Sequence, residues 1–298
     1  MVDAAIRDKL ASQKGFIAAL DQSGGSTPGA LRQYGIPETA YSGDDEMFRL
    51  VHEMRVRIIS APAFTGAKIL AAILFERTMD GSAHGKPVPT FLTQDRGVLP
   101  FLKIDKGLET EANGVQLMKP IPGLDALLQR AVPLGVVGTK MRSVINLADK
   151  AGIRAIVDQQ FELADKIGSY GLVPIVEPEV SIKSPQKAEA EAMLRDEILQ
   201  RLDAVPAERP VMLKLTIPST TDFYVPLANH HRVLRVVALS GGYSRDQACK
   251  LLAANEGMIA SFSRALVEDL SANMDDKAFD DALGRSIDQI FEASTAKR

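Results

Sequence analysis

Charged side chains stand within or at the ends of short apolar runs, where a buried strand would ordinarily carry none. Asp21 closes FIAALD, Glu76 closes AAILFE, and Lys103 and Asp105 lie in PFLKID. Lys140 and Arg142 lie in VVGTKMR, Glu177 and Glu179 in LVPIVEPE, and Lys214 sits between Leu213 and Leu215 in VMLKLTIP. Residues two apart on a strand share a face, so Lys140 pairs with Arg142 and Glu177 with Glu179. Structural ion pairs would account for any one of these charges, because a buried charge needs a partner. Lys214 fits that account least. Desolvation by apolar neighbours favours its neutral amine over the ammonium, and a nearby second lysine, Lys140, would add like-charge repulsion. A neutral amine is the species that attacks a carbonyl.

Two glycine-containing turns suggest anion binding. Ser240-Gly241-Gly242 follows the seventh apolar run, and Ser261-Phe262-Ser263-Arg264 belongs to the eighth. Adjacent glycines let backbone N–H groups approach a ligand, and Arg264 adds a fork of donors. A second Ser-Gly-Gly-Ser, Ser23 to Ser26, follows the first run. With Lys103 and Arg142 it could hold another phosphate, so the expected substrate is phosphorylated at both ends. Ser263 and Glu179 complete the expected substrate-binding set.

These groups need elements to aim them. The apolar runs at 16–21, 71–76, 100–105, 136–142, 172–179, 211–218, 235–241 and 258–264 are strand-sized and mostly bracketed by Gly or Pro. Helical periods separate them. Met47, Leu50, Val51, Met54 and Ile58 form one stripe, introduced by a capping-box pattern at Ser42 and Asp45. Ile153, Ile156, Val157, Phe161, Ala164 and Ile167 form another, with stops at Gly168 and Gly171. Leu194, Ile198 and Leu202 form a third, and Phe279, Leu283, Ile287 and Ile290 mark a closing helix at about 275–294. Eight buried strands alternating with helices predict an α/β chain folded as one (β/α)8 TIM barrel over 1–298. A doubly wound sheet is the rival, but GxGxxG and P-loop patterns are both missing. In a barrel the strand ends converge on the active-site face, and the loops after strands seven and eight commonly hold phosphate.

Composition narrows the classes. The 298 residues carry 35 Lys+Arg against 38 Asp+Glu, a net charge of −3, which lacks the basic excess of a nucleic-acid binder. A single cysteine, Cys249, rules out an internal disulfide framework and any multi-cysteine metal site. His52, His84, His230 and His231 show no metal-ligand spacing and read as surface or packing residues. No apolar run reaches the roughly 18 residues of a membrane helix, and the charged N-terminus does not read as a signal peptide. The expectation is a soluble, metal-poor protein of the cytoplasm.

The segments KGFIAALDQSGGS, PFLKIDKG, GTKMR, LVPIVEPEV, VMLKLTIP, LSGGYSR and IASFSRAL, in this order, resemble the class I (Schiff-base) fructose-1,6-bisphosphate aldolases, most nearly their short bacterial form. The resemblance runs from about Lys14 to Leu266. It implies that Lys214 forms the imine with a ketose and that Glu177 handles protons as water leaves. Asp21 would take the hydroxyl proton beside the breaking carbon–carbon bond, and Lys140 would stay charged and tune Lys214. Ser240, Gly241, Gly242 and Arg264 match the phosphate site of the dihydroxyacetone half; Ser23, Ser26, Lys103 and Arg142 match groups near the other phosphate. Partners implied are small-molecule sugar phosphates, with no nucleic acid and no membrane; a homo-oligomer is left open. The chain departs from the animal pattern at Gln22, at Ala30 and at a C-terminus with no terminal tyrosine. The alternative enzymes are another Schiff-base sugar-phosphate aldolase or transaldolase and a phosphate-binding barrel isomerase that forms no covalent adduct; an inactive binding barrel is the alternative class.

Overall fold

The computed structural model describes residues 3–22 and 27–297. Eight parallel strands run in sequence order: β1 (Phe16–Leu20), β2 (Ile69–Leu74), β3 (Leu99–Lys103), β4 (Gly138–Ile145), β5 (Val173–Val180), β6 (Val211–Thr216), β7 (Val233–Leu239) and β8 (Met258–Ala260). Each pairs with the next, and the Ala19 N–H donates to the Phe262 carbonyl at 3.1 Å, drawing the last strand back to the first. The result is a nearly closed TIM barrel. Every residue of β1, β2 and β6 is buried, as expected for strands covered on both faces.

The two faces are sorted by a period of two. Ile17, Ala19, Ala71, Ile73, Phe101, Ile175, Met212, Val237 and Ile259 form an inner cluster. Leu10, from helix α1 (Ala4–Ser12), joins them, held by Arg235 Nε donating to its carbonyl at 2.9 Å. Phe16, Leu20, Leu102, Met141, Val176, Leu213 and Val236 face the outer helices. Gly138 on β4 is required for this packing. A Cβ there would lie 2.3 Å from both the Phe101 ring and the Val173 carbonyl oxygen.

Full-length helices follow most strands: α2 (Thr27–Gln33) with α3 (Gly43–Ser60), α4 (Leu124–Ala131), α5 (Lys150–Ser169), α6 (Lys187–Leu202), α7 (Arg245–Ala253) and α8 (Asp276–Thr295). The crossings after β2 and β6 carry shorter helices: Glu76–Met79 and the continuous pair Val88–Phe91 and Leu92–Arg96 after β2, and Val225–Ala228 after β6. Three local expectations are corrected. The Ser42 side chain makes no cap bond; instead the Glu46 carboxylate accepts the Ser42 N–H at 2.7 Å, one residue beyond Asp45. Gly168 lies inside α5, and the break comes at Gly171, whose φ of 76° favours glycine. β8 ends at Ala260 rather than 264, because the chain turns into the one-turn helix Arg264–Val267.

Candidate active site

Carried toward the C-terminal ends, the inward period of two brings in Asp21 just after β1, Lys103 on β3, Lys140 and Arg142 on β4, Glu177 and Glu179 on β5, and Lys214 on β6. All seven line one cavity of about 960 Å³ at the barrel mouth. Register supports the convergence, with Lys103 beside Lys140 and Arg142 beside Glu177. Helix α5 fixes the β5 end, since Gln160 Oε1 accepts the Glu177 N–H at 2.8 Å.

Four charges share the floor, each no more than 6% exposed: Asp21, Lys140, Glu177 and Lys214. Glu177 bridges the lysines, with Lys140 Nζ 2.6 Å from Oε2 and Lys214 Nζ 3.2 Å from Oε1. Lys140 Nζ also donates to Asp21 Oδ2 at 2.9 Å. Burial would raise the Asp21 carboxyl, but Lys140, Lys214 and Lys103 outweigh it and hold the group well below the usual carboxylate range. Burial pushes Glu177 up in the same way, and Lys140, Lys214 and Arg142 pull it below its ordinary value. For Lys140 burial favours the neutral amine, yet Asp21, Glu177 and Asp105 together raise its pKa, so it remains a cation. Sequence reasoning surrounded Lys214 with apolar neighbours and one lysine; the fold adds a carboxylate in contact with its amine.

The cavity walls are less uniform. Lys103 Nζ is bound to Asp105 Oδ1 at 2.6 Å and to the Asp105 carbonyl at 3.0 Å. Arg142 Nε donates to Glu179 Oε2 at 2.6 Å; burial would lower its pKa, and Glu179 raises it instead. Arg264, by contrast, is exposed at the rim and has no acidic partner among the described residues. It stands beside Ser240 and Gly241, which also line the cavity. Gly241 and Gly242 adopt φ of 61° and 115°, and a Cβ on Gly242 would lie 3.8 Å from Arg264 Nη2. Ser263 lines the same wall and accepts a hydrogen bond from Gln22 Nε2 at 2.7 Å. Ser23 and Ser26, expected near a second phosphate, lie outside the described residues.

Other residues around the mouth were not singled out as site residues. Ser261 lines the cavity with a buried hydroxyl that has no partner, and its parity with Ile259 on β8 could have identified it. Lys106 lines it too, with Nζ 2.6 Å from Glu76 Oε2. Glu76 itself stands outside the cavity, where Arg130 also holds it. Below the mouth, Arg55 of α3 is almost fully buried, and nothing local in its helix signals that.

The histidines sit elsewhere. His52 Nε2 contacts the Ser82 carbonyl at 3.1 Å, His84 Nε2 contacts Ser60 Oγ at 2.8 Å, and His230 stacks on His231. Burial pushes the Cys249 thiol up to about 12. Among the described residues no helix is long and apolar enough to cross a membrane.

Known proteins are similar to this chain in sequence and in fold. Residues 5–220 match the family model for fructose-bisphosphate aldolase class-I. A curated relative, fructose-bisphosphate aldolase class 1 of Synechocystis sp., is 56% identical over 286 residues, covering 96% of this chain and 95% of that one. That span includes the Ser240 and Arg264 turns, which lie beyond the family model. In fold, the chain is similar to a fructose-bisphosphate aldolase from Plasmodium falciparum, with a TM-score of 0.78, 21% identity, and 99% and 96% of the two chains covered. It is more distantly similar to Cgl0159 from Corynebacterium glutamicum, with a TM-score of 0.57, 12% identity, and 97% and 91% covered. The chain therefore belongs to the class I fructose-bisphosphate aldolases, a family of lyases.

Proposed function

We propose that this enzyme reversibly cleaves fructose 1,6-bisphosphate to dihydroxyacetone phosphate and glyceraldehyde 3-phosphate through an imine on Lys214. The observation that carries the reading is the Lys140–Glu177–Lys214 bridge on the cavity floor with Asp21 on its far side. Passing one proton from Lys214 to Glu177 leaves a neutral amine beside a neutral acid, the two species that imine formation needs. The amine attacks the ketose carbonyl, and Glu177 returns its proton to the departing oxygen as water leaves. Lys140, kept charged by Asp21 and Glu177, stabilises the oxygen-bearing intermediate.

The protonated imine then withdraws electrons from the adjacent carbon. Asp21 accepts the hydroxyl proton, the carbon–carbon bond breaks, and glyceraldehyde 3-phosphate departs. The enamine on Lys214 takes up a proton and is hydrolysed to dihydroxyacetone phosphate. Ser240, Gly241, Gly242, Ser263 and Arg264 hold the phosphate of that half. Lys103, Arg142 and Glu179 surround the other end, with Ser23 and Ser26 assigned to it by the family resemblance alone, so that binding at both ends aligns the bond to be broken. The iminium supplies the electron withdrawal, and the reading includes no metal and no cofactor. It places the enzyme in the cytoplasm, acting on sugar phosphates in glycolysis and gluconeogenesis.

Borohydride reduction in the presence of dihydroxyacetone phosphate, followed by peptide mapping, tests it. The expected result is one stable adduct, on Lys214, with full activity retained in EDTA. Label on another lysine, or none, would overturn the assignment.

A further inference from the structure

Among the described residues Arg55 is the largest side chain with almost no exposure. It lies on α3, whose other buried residues Met47, Val51, Met54, Ile58 and Ile59 are apolar. Packing alone would be satisfied by an apolar side chain there, since a buried guanidinium must recover its lost hydration from fixed partners. Its partners all belong to the catalytic end of the barrel. Nη1 donates to Thr78 Oγ1 at 2.8 Å, in the turn after β2, and Nη2 donates to the Gln22 carbonyl. Nε has no partner. Burial pulls the Arg55 pKa down to about 10 and Asp21 opposes that fall, so the group remains a cation at neutral pH.

Gln22 follows Asp21 directly, and its side-chain amide reaches Ser263 on the phosphate wall. A chain of contacts therefore runs from Thr78 through Arg55 and Gln22 to Ser263. Its middle is the backbone that carries Asp21. Asp21 has left the β1 ladder, which ends at Leu20, so neighbouring strands do not fix its backbone.

We infer that Arg55 is a positioning residue for bond cleavage: by gripping the Gln22 carbonyl from beneath, it holds the Asp21–Gln22 turn where the Asp21 carboxylate meets the substrate hydroxyl. This rests on the proposed aldol reading, and it predicts a selective defect. Dihydroxyacetone phosphate alone forms the imine on Lys214 and exchanges a proton with solvent without the hydroxyl proton transfer assigned to Asp21. A displaced Asp21 turn should therefore slow cleavage and spare that exchange.

The test uses Arg55→Met, Arg55→Lys and Thr78→Val in the full-length enzyme. Each is assayed for bisphosphate cleavage, deuterium exchange into dihydroxyacetone phosphate, borohydride trapping and thermal unfolding. For Arg55→Met, kcat for cleavage should fall about ten- to hundredfold, as a displacement near 1 Å can cause, while KM, exchange and trapping stay near wild type. Arg55→Lys, which keeps a donor for the Gln22 carbonyl, should recover much of the loss. A folded Arg55→Met enzyme with wild-type cleavage, or with equal losses in cleavage and exchange, would overturn the inference. If Arg55→Met does not fold, Thr78→Val decides. A smaller but still cleavage-selective loss supports the role, and unchanged cleavage rejects it. Failure of the wild-type enzyme to trap the ketose would instead strike the aldol reading itself.

Discussion

Two carboxylates and two lysines occupy one buried floor, where Lys140 holds Asp21 and Glu177 ionised and they in turn keep Lys140 a cation. Removing Lys140 leaves Asp21 and Glu177 without their shared cation, so Lys140→Met should lose about 3–5 kcal/mol of stability at neutral pH, the usual consequence of orphaning a buried charge. The deficit should shrink under mildly acidic conditions, where Glu177 can take up a proton. Denaturant unfolding at two pH values measures this, and a pH-independent deficit would mean that packing dominates. At the rim, Arg264 has no acid among the described residues to release before binding an anion. Arg264→Ala should weaken binding of dihydroxyacetone phosphate by about 1.5–3 kcal/mol, the range for a hydrogen bond to a charged group. A trapping titration reads that loss, and unchanged affinity would remove Arg264 from the phosphate site.

The strands aim these groups by alternation, and alternation works only if the barrel is packed tightly enough to fix each register. Gly138 shows how little slack β4 has. Gly138→Ala would drive a methyl against the Phe101 ring and the Val173 carbonyl, and one of those neighbours is backbone. The expected destabilisation is about 1–3 kcal/mol in chemical denaturation, typical of overpacking, with loss of activity as Lys140 moves with its strand. Apolar runs bracketed by Gly and Pro made the eight strands legible from sequence. Their ends were less so: the run at 258–264 is apolar enough for a strand, but the chain leaves the sheet at Ala260 to begin a helical turn at Arg264.

At the scale of the whole molecule, the charged floor links stability to pH. Asp21 and Glu177 both have lowered pKa values in the folded enzyme. In the unfolded chain they take up protons near the ordinary carboxylate range, about pH 4, whereas the folded protein does so only at lower pH. Below that range the unfolded state binds more protons, so stability falls as pH falls. Above it the contribution is fully present. Unfolding free energies measured from pH 7 down to about 3 should follow this course. Asp21→Asn should flatten the acid slope; an unaltered slope would assign it to other carboxylates.

From the order of residues alone one can read the count of strands, the face each side chain takes and therefore the column of charges pointing inward, because a two-residue period is a local property of extended backbone. The types of those charges and the glycine turns near them pointed to carbonyl chemistry on a phosphorylated substrate, and the family resemblance implied that the substrate is a sugar. The tertiary structure decided which charge answers which. Lys103 turns to Asp105, two residues away, whereas Lys140 reaches Asp21 across 119 residues of chain. Arg55 finds its carbonyl only once α3 lies against the ends of β1 and β2. Such pairings depend on distances across a closing barrel and on how much water is excluded between the partners, and neither is a property of any one segment.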